Sequence, residues 1–537
     1  MSDDPRATYP ASLPPPSYTL KNGLAQLDVS KFNFDVDSDS LYSPSENGTF
    51  LEELEGTSEG EGEHGRGGIA AGRLPEEVYV STLPLWRNAL RRRLVSCVEW
   101  ETGVLASMQD RVRTPWLDMY FVYTSTLGTH TFFMFFLPAL FFFGYEDLGR
   151  GLVYALALGG YSSSFLKDLA CSPRPFSPPV SRLTIGSHHL EYGFPSTHST
   201  NGTSMALFFL AHAHTLLVSD LISLRAFVTC VVFLVFYVFS IVGGRLYTGM
   251  HGFIDCTVGV TLGASTWALQ WAVMPVVERW VAGSGWSGPL LVTALCLLLV
   301  NQHPQPVDDC PCFEDAIAFI SVMLGILLGK WFSAQYPAFD PSTFPPSSYP
   351  ALSFAHPNTI IVFASMSLLK LATGILAIFA FRLLAKPALH AALPPLFRWL
   401  AKTVRLPNRR HYTPATEYAR GPPADLRPIP SVMDLTLEIR EVGGEGEGMA
   451  SARRAAGSGG VAVQRRGMAG RRAAGWEEKG GIEADEGGAE GLDDFVKHYD
   501  ADVLTKVFVY AGIAIISMIC MPTFFQTIGW GVRPVFE

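Results

Sequence analysis

From about residue 119 onward, long apolar stretches alternate with short polar clusters. Runs that can cross a bilayer, judged against about 20 residues per span, fall at roughly 121–143, 148–166, 201–217, 225–243 and 253–275. Further candidates lie near 286–300, 314–333, 358–384 and 503–525. The pattern predicts an all-α integral membrane protein, a multi-span helical bundle of about eight or nine transmembrane helices. The 286–300 run is short, and 201–217 contains His212 and His214. Lys370 sits inside another run. A charge within a span is functional by default, yet this one is far along the chain from the polar clusters, which favours snorkelling or packing.

Around the bundle the composition changes. Residues 1–85 are rich in Pro, Ser, Gly, Asp and Glu and include EELEGTSEGEGEHG, the signature of a disordered acidic tail. No apolar h-region opens the tail, and its sequon Asn47-Gly48-Thr49 is discounted because a cytosolic tail meets no glycosylating enzyme. Residues 86–118 carry WRNALRRRLVSCVEW and then DRVRTPW, which fits an interfacial amphipathic helix and a positive-inside flank equally well. Either reading favours a cytosolic N-terminus. A membrane core is expected at 119–280 and further spans at 281–385. The segment 386–500 starts basic (RWLAKTVRLPNRRH) and turns rich in Gly, Ala, Arg and Glu, as in a largely disordered cytosolic loop. A final helix occupies 501–537.

Overall composition agrees with a membrane protein. Of 537 residues, 48% are hydrophobic and only 17% charged, against about a quarter charged in soluble domains. The net charge of −9 comes largely from the tails, says little about the substrate, and points to no nucleic-acid partner. Eight cysteines are scattered, and only Cys310-Pro311-Cys312 is closely spaced, with no partner pair for a zinc site. They read as packing residues, with a lumenal disulfide as the lesser alternative.

Three polar clusters carry the candidate chemistry. In KDLACSPRP, Lys167 ends an apolar run, and Pro173 and Pro175 stop the helix around Arg174, making a charged ledge. In EYGFPSTHS, Gly193 and Pro195 make a turn, and Ser196 or Thr197 is placed to cap the next helix. That helix would offer free N–H groups and a partial positive charge to an anion, with His198 in its first turn. In GRLYTGMHGFID, Arg245 precedes His251, and Asp255 follows it at i+4 on one helical face. A carboxylate accepting one ring N–H would fix the tautomer and leave the other nitrogen free to attack. Three cations and two hydroxyls suit a multiply charged oxyanion. Two histidines with a carboxylate suit nucleophilic attack and proton donation. The bland alternatives are a basic flank, a plain N-cap and a structural Asp–His pair. Each is a fair reading of its own cluster, and none accounts for all three together.

The ordered set K-x6-RP, PSTH and R-x5-H-x3-D resembles the three-part signature of the type 2 phosphatidic acid phosphatase (PAP2) superfamily. The wider wording YSSSFLKDLACSPRP and SHHLEYGFPSTHS looks like its sphingosine-1-phosphate and long-chain-base-phosphate phosphatases, particularly the fungal ones. Thr197 stands where the usual motif has glycine, and Gly244 where a serine often precedes the arginine. The resemblance covers about 115–280 well and the later spans loosely. It implies that His251 forms a phosphohistidine with Asp255 orienting it, and that His198 protonates the leaving alkoxide and then activates water. Lys167, Arg174, Ser196, Thr197 and Arg245 would hold the phosphoryl oxygens. It implies no metal and no cofactor, and a lipid phosphate monoester as substrate, with a substrate-proximal role at most for His188 and His189. It further implies a multi-pass protein of the endoplasmic reticulum whose site faces the lumen, although a cytosolic N-terminus and two spans would put the clusters in the cytosol. Phosphatidate, a polyprenyl diphosphate or vanadate-dependent halide chemistry remain open as alternatives, as does a non-enzymatic lipid-binding or transport protein. Oligomeric state is not legible.

Overall fold

The computed structural model describes residues 70–126, 130–183, 191–340, 357–404, 406–417 and 498–531. His188, His189, the Asn47 sequon and most of 386–500 lie outside the described residues. In chain order the helices are α1 (Glu76–Thr82), α2 (Leu85–Val112), α3 (Pro115–Thr126), α4 (His130–Phe142), α5 (Glu146–Ala170) and α6 (Thr197–Val218). There follow α7 (Leu224–Tyr247), α8 (Phe253–Gly283), α9 (Ser287–Gln302), α10 (Cys312–Gln335), α11 (Pro357–Leu400) and α12 (Asp500–Ile515). A π turn joins α12 to α13 (Met521–Thr527). Strands β1 (Tyr412–Thr413) and β2 (His498–Tyr499) form one short parallel pair.

Five of these helical stretches are long and apolar enough to cross a membrane: α7, α8, α10, most of α11, and α12 with α13. The protein is a multi-pass membrane protein. The bundle is centred on α10, whose apolar window is 83% buried. Ile317, Ile320, Leu324 and Leu327 of α10 pack with Val153 and Tyr154 of α5 and with Val507, Ala511 and Ala514 of α12. Where lipid is as apolar as leucine, close helix contact depends on small residues. The α8 sequence supplies them as Gly259-x3-Gly263. A Cβ at Gly259 would stand 2.8 Å from the Ser196 carbonyl, and one at Gly263 2.3 Å from that of Thr200. Glycine there lets α6 and α8 approach backbone to backbone.

Lys370 is fully buried rather than snorkelled. Its ammonium donates to the Trp530 carbonyl at 2.8 Å and lies over the rings of Phe143 and Phe525. Cys310 and Cys312 form a disulfide, their Cα atoms 5.4 Å apart in the turn entering α10, where packing was the favoured reading. Asp168 lies beside them, but with both sulfurs bonded to each other neither is a thiolate ligand.

One end of the bundle gathers the chemistry. The last turn of α5, the start of α6, the end of α7 and the start of α8 all meet there. Arg87 of α2 donates to the Asp168 and Leu169 carbonyls at 2.6 and 2.9 Å, and Arg91 to that of Cys171 at 3.2 Å. At the far end of α2, Gln109 donates to the Tyr247 carbonyl at 2.9 Å. Helix α2 therefore lies across the end of the bundle, from α5 to α7. The segment after α11 reaches the same end: Arg409 donates to the His303 and Pro304 carbonyls at 3.2 and 3.1 Å, and His498 contacts Asp309 at 3.1 Å.

This bears on both side assignments expected from sequence. The described ends of the 386–500 segment, around Arg409 and His498, lie on the same face as the clusters, so a cytosolic loop and a lumenal site pull in opposite directions. The positive-inside argument treats these arginines as topology signals. Several of them instead satisfy the orphan carbonyls at helix C-termini. Tags placed ahead of residue 70 and within 418–497 should therefore show the same protease accessibility in sealed vesicles, and a tag in the 284–286 turn the opposite. Opposite protection of the first two would break the shared-face arrangement.

Candidate active site

Each cluster is set by local rules before the bundle brings it in. Helix α5 ends at Cys171, whose positive φ of 49° closes the last turn and directs Ser-Pro-Arg-Pro away from the axis. Lys167 lies in that last turn. Helix α6 begins at Ser196, whose hydroxyl accepts the Ser199 N–H at 3.3 Å. The N–H groups of Thr197 and His198, in the first turn, have no intrahelical acceptor. Helix α8 begins after Gly252, whose N–H donates to Asp255 Oδ2 at 2.9 Å. Glu101 of α2 also caps α8, accepting the Ile254 N–H at 2.8 Å.

The bundle then assembles Lys167, Arg174, Arg245, Ser196, His251 and Asp255, all buried, with Thr197 and His198 half-buried at the start of α6. Arg174 is at the centre. Its Nη1 donates to the Met250 carbonyl at 3.1 Å and lies 3.4 Å from His251 Nε2. The Arg245 Nε is buried without a hydrogen-bond partner among the described residues, and the Arg245 carbonyl accepts the His251 N–H at 3.3 Å.

The histidine is oriented otherwise than expected. Its Nδ1 lies 2.9 Å from the Gly193 carbonyl but 3.7 Å from Asp255 Oδ2, beyond hydrogen-bond range. The reason is that Asp255 is engaged by the Gly252 N–H at the start of α8. A carbonyl can only accept, so Nδ1 carries the proton and Nε2 the lone pair. Burial, then the charges of Arg174, Lys167 and Arg245, hold the His251 imidazole well below the usual histidine range. At neutral pH it is an uncharged base with its free nitrogen beside the Arg174 guanidinium.

Three contributors escaped the sequence reading. The Gly193 carbonyl carries no side-chain signal. A Cβ on Gly193 would stand 2.6 Å from the Pro173 carbonyl, so glycine is what lets the second cluster settle on the first. Glu101 lies too far along the chain to be linked to Ile254 by spacing. Glu191 is within the second cluster but was given no role. Its Oε2 lies 2.7 Å from Lys167 Nζ and 3.2 Å from Arg174 Nη2, so an internal carboxylate bridges two of the cations. The neighbouring Tyr192 is pinned by Asp308, which accepts its hydroxyl at 2.6 Å.

The arrangement suits an anionic group with several oxygens. Two guanidinium groups, an ammonium and a helix N-terminus converge beside an uncharged imidazole nitrogen, with a second histidine in the first turn of α6.

The comparisons with known proteins agree. The model of the PAP2 superfamily matches residues 148–279, the stretch from α5 to α8 that carries the clusters. A dihydrosphingosine 1-phosphate phosphatase of Schizosaccharomyces pombe is 39% identical over 315 residues, covering 58% of this chain and 73% of that protein. One of Saccharomyces cerevisiae is 36% identical over 266 residues, 49% of this chain and 65% of that protein. Sphingosine-1-phosphate phosphatase 2 of Mus musculus is 28% identical over 302 residues, 56% and 81% respectively. No solved structure matches. With the superfamily's model lying on the site-bearing helices, and a relative 39% identical across 73% of its own length, the chain belongs to the PAP2 superfamily.

Proposed function

We propose that the protein dephosphorylates sphingoid long-chain base 1-phosphates such as those of dihydrosphingosine, phytosphingosine and sphingosine. The observation that carries this reading is the uncharged His251 Nε2 set against Arg174 and beside Lys167 and Arg245. The substrate class follows the names of the relatives from Schizosaccharomyces pombe and Saccharomyces cerevisiae. The bilayer-spanning bundle suits a substrate with a long alkyl chain.

In this reading His251 Nε2 attacks phosphorus, and the P–O bond to the lipid breaks as the N–P bond forms. His198 donates a proton to the departing alkoxide, then takes one from the water that hydrolyses the phosphohistidine. The charge spreading over the phosphoryl oxygens is met by Lys167, Arg174, Arg245, Ser196, Thr197 and the N–H groups opening α6. The Gly193 carbonyl accepts the hydrogen bond of the Nδ1–H and steadies the charged imidazole. Asp255 contributes its field and the cap that places α8. No metal takes part.

The site faces the lumen of the endoplasmic reticulum in this proposal. The Cys310–Cys312 disulfide at the site end of the bundle supports that side, since disulfides persist in oxidising compartments. On that arrangement α2 and the residues around Arg409 and His498 are lumenal too.

Purified protein should release phosphate from dihydrosphingosine 1-phosphate in EDTA, and His251→Ala should lose roughly a thousandfold or more of that activity. Release by phosphatidate or polyprenyl diphosphate alone would move the substrate assignment, and retained activity in His251→Ala would remove the nucleophile. His198→Ala should give a burst near one equivalent from an aryl phosphate, whose leaving group needs no proton, followed by slow turnover and a trappable phosphoenzyme. Full turnover without a burst would remove the acid–base role.

A further inference from the structure

We infer that Glu191 reads the ammonium group of the substrate and so separates amine-bearing lipid phosphates from amine-free ones. The inference rests on the sphingoid-base reading above and deepens it.

A phosphatase site has no need of a carboxylate among its phosphate-binding cations. Such a group competes with phosphoryl oxygens for the same donors and repels the incoming dianion. Yet Glu191 stands there, with Oε2 at 2.7 Å from Lys167 and 3.2 Å from Arg174, and its side chain only 11% exposed. The placement is fixed by backbone as well. The Glu191 carbonyl accepts Arg174 Nε at 3.2 Å, and Tyr192 is held by Asp308. Two neighbouring acids have different engagements. Asp255 accepts the Gly252 N–H at the start of α8, and Asp168 lies against His303 at 3.5 Å. Glu191 is in direct ion-pair contact with two of the three cations.

The cost becomes an advantage when the substrate brings a positive charge of its own. A sphingoid base 1-phosphate has a primary ammonium on the carbon next to the phosphorylated one. Lys167, Arg174 and Arg245 would repel that ammonium as strongly as they attract the phosphate. With Glu191 present, the two ion pairs exchange partners on binding. Lys167 and Arg174 turn from Glu191 to the phosphoryl oxygens, and the released carboxylate oxygen accepts the ammonium N–H. The internal salt bridge thus stands in for the zwitterionic headgroup before the substrate arrives.

The test compares dihydrosphingosine 1-phosphate with its 2-deamino analogue, in which hydrogen replaces the amine, using full-length protein in detergent micelles. Glu191→Gln should lower the ratio of the two kcat/KM values roughly 30-fold, the range expected for losing a hydrogen bond between charged groups, and Glu191→Asp should restore part of it. Equal losses on both substrates would overturn the inference and leave Glu191 as a mere organiser of the cations. Wild-type protein gives an arm that does not depend on the variant folding. A non-hydrolysable sphingoid phosphonate should inhibit roughly tenfold or more better than its deamino counterpart, and equal inhibition overturns the inference. Failure of wild type to hydrolyse any sphingoid phosphate would instead overturn the proposed function, so the two failures are distinguishable.

Discussion

Everything at the site depends on keeping three cations out of water without letting them repel one another apart. Lys167, Arg174 and Arg245 are only 4, 5 and 6% exposed. Burying a charge is costly unless it is paired and hydrogen-bonded. The structure meets that cost with Glu191 between Lys167 and Arg174, and with carbonyls of Glu191 and Met250 on Arg174. The Arg245 Nε, without a hydrogen-bond partner among the described residues, is the donor that a phosphoryl oxygen would satisfy in the proposed reaction. Burial, reinforced by the same positive field, keeps His251 uncharged, as the proposed nitrogen nucleophile must be at neutral pH.

The helix packing is what makes this cluster affordable. Two glycines on α8 let it lie against the start of α6, so the cap of one helix and the capped N-terminus of the other share a wall. Gly193 then lets the second cluster rest on Pro173 and Arg174, and this contact delivers its own carbonyl to His251 Nδ1. Orientation of the histidine by a main-chain carbonyl leaves Asp255 to hold the helix start. A carboxylate at i+4 and a carbonyl from 58 residues upstream offer the ring the same kind of acceptor, and distance decides between them.

The end of the bundle is also crowded by segments with no role in the chemistry. Helix α2 caps the C-termini of α5 and α7. Arg409 does the same for α9, stacking on Phe313 at 3.5 Å. His498 and Lys506 engage the acids Asp309 and Glu314. These contacts hold α2 and the residues around Arg409 and His498 on the same face as the site.

Much was legible in the chain alone. Apolar run length gave a multi-span helical bundle, because a backbone in lipid must satisfy its own hydrogen bonds. The prolines around Arg174, the Ser196 cap and the Arg245, His251 and Asp255 spacing marked where polar chemistry interrupts it, because those signals are local. Three things were not local. The Gly193 carbonyl beside His251 has no side chain to betray it. The bridging place of Glu191 depends on how α5 and the second cluster meet. The common face of the site, α2 and the residues around Arg409 depends on arginines whose charge suggests a membrane side but whose partners are helix-end carbonyls. Sequence determined which groups the protein has and which helix ends they occupy. Only tertiary packing decided which of those groups touch, because burial makes each cation seek the nearest acceptor in space, wherever that acceptor lies along the chain.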